Sequence, residues 1–375
     1  MMHHRGGASR CRGSGLIRAL VVVAWTTLIQ ACVDDGQGPA PPIPEDPVLN
    51  LQQTLVRSLN DAILPAVSAF VMEAQALDDA AAEFCTAQDA ATLAALQQRW
   101  STTFEQWYRL VLYNFGPLDD NFVFPAYTFI DSLRLRGTNY LETVRAEIAD
   151  DINSSRELNA VYFGNKTFQR VGLLALESAV FETSTPEHSN EAGDILAEYR
   201  FQPRKCEVLL GLSTQLLAQA QYVENGWLTE HLDTGRPFRD LFLAGELEDG
   251  TAPLSQVIIS SQEFLDYLQA RNVVITAAQV SRHAWQAIDS SIDEVELLLR
   301  GERGESGSIF DFMESVGRLN EKAAVEDSLN QVRQAIADRD PAMLEITLGF
   351  LDGNFKREIP DSLDIDLGIN FTDGD

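Results

Sequence analysis

The chain has 375 residues, 45% of them apolar, enough for one large domain or two bundles with a sizeable core. Its 56 acidic residues outnumber 28 basic ones, for a net charge of −28. That surface repels phosphate backbones and excludes nucleic acid as a partner; it suits solubility, and it suits contact with cations or basic partners.

The N-terminus reads as a secretory signal. Arg5, Arg10, Arg12 and Arg18 supply positive charge, and residues 1–31 contain no acid. Residues 20–29 are apolar but too few to span a bilayer. Ile29-Gln30-Ala31-Cys32 then resembles a bacterial lipobox, in which the cysteine is lipidated and becomes the first residue. Residues 32–47, rich in proline and acid, predict an extended tether behind Cys32. A lipid at Cys32 would anchor the protein to a membrane without a spanning helix. Val33 is compatible with outer-membrane sorting, so the expected location is the bacterial envelope, facing periplasm or surface. Cys11 falls in the signal and Cys32 at its end, leaving Cys85 and Cys206. One pair in an oxidising compartment predicts a disulfide; two buried free thiols are the alternative.

Beyond the tether the helical period dominates. Leu51, Leu55, Leu59, Ile63, Val67, Phe70 and Val71 mark one stripe of a long first helix, with Pro65 as an expected kink. Thr86-Ala87-Gln88-Asp89 reads as a turn and N-cap before a helix over 93–114. Residues 117–138 read as irregular. Helices follow near 140–151 and 167–181, then a polar loop at 182–193, then a helix over 203–227. Residues 228–253, with Gly235, Pro237, Gly245, Gly250 and Pro253, read as a join between two halves. Helices over 255–268, 276–299, 310–338 and 341–356 complete the chain. The β-type runs 257–259 and 273–275 are short exceptions, and the fold class is all-α.

Two segments identify a family. Val171-Gly172-Leu173-Leu174-Ala175-Leu176-Glu177-Ser178-Ala179-Val180-Phe181 is an apolar helical stretch opened by a glycine, with one carboxylate inside. The chain closes on Leu367-Gly368-Ile369-Asn370-Phe371-Thr372-Asp373-Gly374-Asp375. Both resemble the imelysin family of bacterial envelope proteins, which carries Gly-x-His-x-x-Glu in such a helix and often ends on Asp-Gly-Asp. Arg99-Trp100 with Phe104-Glu105-Gln106-Trp107 and Phe115-Gly116-Pro117, then Phe124-Pro125, then Arg204-Lys205-Cys206 running to Trp227, resemble further family landmarks in order. The resemblance implies two related helical bundles packed together, here 48–227 and 228–375. It also implies a peptidase or a binding protein linked to iron uptake. Gly172 and Glu177 match the motif, whereas Leu174 stands at the histidine position.

A histidine at 174 with Glu177, three residues on, would place two metal ligands on one helix face. Leucine offers no lone pair, so the motif is half a site, and any divalent metal would be weakly bound or absent. Glu177 is either a buried carboxylate hydrogen-bonded to a facing helix or a residual ligand contact. Other signals are bland. His188-Ser189-Asn190-Glu191 is a literal His-x-x-Glu, but in a polar loop. His231 and His283 stand isolated and read as surface or satisfied core. Asp361, Asp364, Asp366, Asp373 and Asp375 crowd the tail without EF-hand spacing. Trp100, Phe104 and Trp107 read as a core stripe. No Gly-x-Ser-x-Gly elbow, P-loop, dinucleotide fingerprint or His-Glu-x-x-His is present. The expected function is therefore a non-catalytic envelope lipoprotein that binds a cation, a metal complex or a partner protein. A metal-dependent peptidase with other ligands and a structural envelope scaffold are the alternatives.

Overall fold

The first apolar stripe folds as one helical run with a widened turn beside its proline. The computed structural model describes residues 47–365 and 367, other than 122, 133–137 and 303–305, with side chains from residue 51 onward. Cys32, the tether and the Asp-Gly-Asp tail lie outside the described residues. α1 (Pro47–Arg57) passes through a π-helical turn, Ser58–Ile63, into α2 (Leu64–Ala87). Pro65 has no N–H, and its ring would strike the carbonyl one turn back, so the disturbance falls on the turn just ahead of it. Residues 51–87 are long and apolar enough to cross a membrane. Here Leu59, Ile63, Val67, Phe70, Leu77 and Phe84 bury that stripe in the protein core.

Gln88, in the left-handed region at φ 49°, ends α2, and Asp89 caps α3 (Ala90–Leu110). The Asp89 carboxylate accepts from the backbone N–H groups of Ala91 and Thr92 at 2.9 Å each, as the turn-and-cap reading of 86–89 predicts. The Trp100–Phe104–Trp107 stripe is buried, with Trp100 stacked on Phe104 and Trp107 donating to Asp131 Oδ2 at 3.0 Å.

Short helices follow: α4 (Ala126–Ile130), α5 (Leu141–Asn153) and α6 (Ala160–Gly164). α7 (Gly172–Phe181) begins five residues later than the period suggests, because Val171 is extended and Gly172 has φ 79°. α8 (Ala192–Phe201) lies partly in the stretch read as loop, and it buries Ile195, Leu196 and Tyr199. α9 (Pro203–Leu228) follows directly.

The join contains α10 (Phe238–Ala244), whose Phe238 and Phe242 pack on Trp227 and Phe115. Then come α11 (Pro253–Ala270), α12 (Val273–Thr276), α13 (Ala284–Arg300), α14 (Ile309–Ser315), α15 (Leu319–Asp338), α16 (Pro341–Lys356) and α17 (Glu358–Leu363). Both β-type runs are helical, within α11 and α12, and no strand occurs among the described residues. Val257, Ile258 and Val273 serve a buried helix face instead, where packing outweighs the weak local preference, whereas Ile275 is exposed. The helix expected over 276–299 is interrupted at 277–283, where Ala278 and Arg282 take φ 48° and 60°. The one expected over 310–338 breaks at Gly317, φ 80°.

α2, α3, α7 and α9 form one bundle, with α5 and α6 laid on α9. α11, α15 and α16 form a second, flanked by α13, α14 and α17. α13 also lies along α3, and the described residues form one compact unit. Polar bonds cross that seam. Tyr113 donates to Glu294 Oε1 at 2.8 Å, Arg109 pairs with Glu294 and Asp293, and Ser260 donates to the Leu112 carbonyl at 2.8 Å. Cys85, at the end of α2, is joined to Cys206, at the start of α9, as a disulfide across a separation of 121 residues.

Candidate functional site

Gly172 sets where α7 begins. A Cβ there would lie 2.5 Å from the Ile130 carbonyl oxygen and 2.6 Å from that of Phe129, and φ 79° disfavours any side chain. The motif glycine is thus required by close backbone approach of α4. Trp100 Nε1 donates to the Leu173 carbonyl at 3.0 Å, which ties the same turn to α3.

Leu174 is half-buried and packs against the core. Glu177, one turn on, is 1% exposed. Its Oε1 accepts three bonds, from the Val280 N–H at 3.0 Å, the Ser281 N–H at 2.8 Å and the Ser281 hydroxyl at 2.8 Å. The break between α12 and α13 presents these donors: an uninterrupted helix would have bonded both N–H groups to carbonyls four residues back. Burial pushes the Glu177 pKa up to about 7. The three donors and the nearby charge of Glu182 adjust that effect in opposite directions without overcoming it.

A cleft of about 360 Å³ opens beside this joint, lined by Leu141, Arg145, Glu182, Asn190, Gln279, Val280 and Arg282. Arg145 clasps Glu182 with two bonds, 2.8 and 2.6 Å, and Ser178 donates to the same carboxylate at 2.6 Å. Asn190 reaches the carbonyls of Phe181 and Val280, binding the loop after α7 to the loop before α13. Arg282 is exposed and makes no ion pair among the described residues. Below the cleft, buried Lys205 bonds the Glu182 carbonyl at 2.9 Å and pairs with Glu198. Burial lowers the Lys205 pKa, against the attraction of Glu198 and Glu182.

The other expected candidates fall elsewhere. His188 Nδ1 lies 3.2 Å from the Thr183 carbonyl in the 182–191 loop, and no helix aims it with Glu191. His283 meets Glu105 Oε1 at 2.6 Å, a partnered histidine. Asp361 and Asp364 sit on and just after α17, while Asp366, Asp373 and Asp375 lie outside the described residues. Among the described residues, no three His, Cys, Asp or Glu side chains are grouped so as to hold a metal ion. At the motif, Leu174 has no lone pair and Glu177 Oε1 already has three donors, so these residues do not fit a metal centre. Nothing in the sequence pattern marks Arg145 or the 279–282 loop, because only folding brings them beside α7.

Two packed helical bundles with a glycine-opened, carboxylate-bearing helix at their seam define an all-α class of protein. The imelysin family pattern (peptidase M75) matches residues 63–349, and the chain belongs to that family. Among solved structures it is similar to an imelysin-like protein from Psychrobacter arcticum 273-4. That likeness has a TM-score of 0.62 and 15% identity, covering 85% of this chain and 98% of the other. It is also similar to a protein named as an iron-regulated protein A precursor from Parabacteroides distasonis ATCC 8503. There the TM-score is 0.55 and the identity 13%, over 86% of this chain and 96% of the other. Among curated proteins, none matches the chain by sequence.

Proposed function

We propose that this protein is a non-catalytic binding protein of the bacterial envelope, held to a membrane by a lipid on Cys32. The observation that carries the reading is the use made of Glu177. Its Oε1 joins α7 to the loop before α13, and Leu174 leaves no second ligand beside it. A peptidase of this family would need an activated water, and the motif lacks the donor set to bind the ion that activates one.

Of the ligand classes a binding protein could take here, a metal complex with anionic oxygen groups suits the cleft beside Glu177 best. Arg282 offers an exposed guanidinium at its rim, while Asn190 and Gln279 hold the neighbouring loop through their bonds to the Phe181, Val280 and Ile275 carbonyls. The name of the Parabacteroides relative supports iron availability as the relevant condition. Calorimetric titration with ferric citrate tests the reading. Saturable binding weakened about 10-fold or more by Arg282→Ala is expected. Chelator-sensitive hydrolysis of a peptide library by the unmodified protein, without such binding, would refute it.

A further inference from the structure

A second pocket, remote in sequence from the motif, has a chemistry of its own. It lies where the turn after α3 meets the segment after α9 and the loop after α10, and it encloses about 230 Å³. Phe115 and Phe238 give it aromatic walls, and both are almost fully buried. Asp119, Asp120, Glu248 and Asp249 line it beside Leu232, Leu247 and Gln256, and no lysine or arginine does among the described residues. The basic side chain that follows in sequence, Arg236, is engaged by Glu246 instead.

The acidic lining alone would describe a solvated rim. His231 changes that. It is 7% exposed and lines the pocket, with its ring 4.9 Å from that of Phe238. Its backbone N–H donates to the Arg236 carbonyl at 2.9 Å, and its ring nitrogens, which bond no described residue, are not sealed in the core but open onto the cavity. A ligand entering the cavity meets that imidazole edge directly, without displacing a protein partner. Burial lowers its pKa, while Asp120 and Glu248 pull the other way. The neutral ring then presents a nitrogen that accepts an N–H. Asp120 is half-buried and already accepts from the Tyr222 hydroxyl, so one of its oxygens is held in place.

We propose that this pocket binds the head of an organic cation, an alkylammonium or guanidinium group, between Asp120, Glu248 and His231, with its alkyl stem against Phe115 and Phe238. The volume exceeds what a bare ion fills, and the pocket's side chains do not converge as metal ligands among the described residues. Aromatic faces near carboxylates are what a cation with an apolar stem requires. The same head group is carried by free polyamines and by lysine or arginine side chains of a protein. The proposal does not depend on the reading of Glu177, and Glu177→Gln should leave this binding unchanged.

Calorimetric titration of the disulfide-bonded protein with agmatine, and separately with the peptide Gly-Gly-Arg-Gly-Gly amide, tests it. Saturable binding of at least one probe is expected: agmatine alone marks a free amine as the ligand, tighter peptide binding marks a protein partner. Glu248→Gln, at an exposed position that should not disturb folding, and Asp120→Asn should each weaken that binding about 10-fold. The His231 ring resonances should shift on saturation. Failure of both probes to bind overturns the proposal, as does binding unaffected by Glu248→Gln, or Zn²⁺ binding at His231 with both organic probes silent.

Discussion

Glu177→Gln should turn a pH-dependent joint into a pH-independent one. Burial raises the Glu177 pKa from an ordinary 4.5 to about 7, so the folded protein holds this proton more tightly than the unfolded chain. Between those pH values the native state carries the extra proton, and the free energy of unfolding falls as pH rises. The contribution is full below pH 4.5 and lost above pH 7. A shift of that size corresponds to about 3 kcal/mol. Glutamine keeps a carbonyl oxygen for the Val280 and Ser281 donors but cannot ionise. The stability difference between Glu177→Gln and the unmodified protein should therefore move by about 3 kcal/mol in favour of glutamine from pH 4.5 to pH 8. Urea unfolding of both proteins at closely spaced pH values, disulfide intact, measures it, and all other titrating groups cancel in the difference. A difference that stays constant would refute the reasoning, as would one that moves toward the unmodified protein as pH rises.

Three further outcomes are expected. Gly172→Ala places a methyl against the Ile130 and Phe129 carbonyls in a backbone conformation alanine disfavours, and it should lower stability by about 1–3 kcal/mol in thermal or urea unfolding. Replacing Cys85 and Cys206 together by serine removes a cross-link over 121 residues and should cost about 5 kcal/mol in the chain-entropy account; an unfolding midpoint insensitive to reductant would speak against it. Cys32→Ala should abolish labelling by a radioactive fatty acid in a bacterial host, and label retained on the variant would place the lipid elsewhere.

The helices were legible wherever one apolar face repeated over several turns, as along Leu59–Ile63–Val67–Phe70 and Trp100–Phe104–Trp107. Asp89 was legible as a cap because its chemistry is local. The Cys85–Cys206 bond could be inferred from number and compartment. What the sequence hid depends on tertiary position. The 277–283 interruption has helix-compatible residues, and it breaks because its N–H groups turn to a carboxylate a hundred residues earlier. The glycine opening α7 was legible, but its reason was not, because only the neighbouring α4 carbonyls show why a glycine must stand there. His231 looked like any isolated histidine; its place in the wall of an acidic, aromatic pocket emerges only when α9, α10 and the turn after α3 meet.

The central claim is that Glu177 serves the joint between α7 and the 279–282 loop and holds no metal. Titration with Zn²⁺ of the unmodified protein, Glu177→Gln and Leu174→His tests it most directly. The account predicts no Glu177-dependent binding by the unmodified protein. It predicts new binding in Leu174→His, where an imidazole three residues before Glu177 completes two ligands on one helix face. One tightly held ion per unmodified chain, lost in Glu177→Gln, would contradict it.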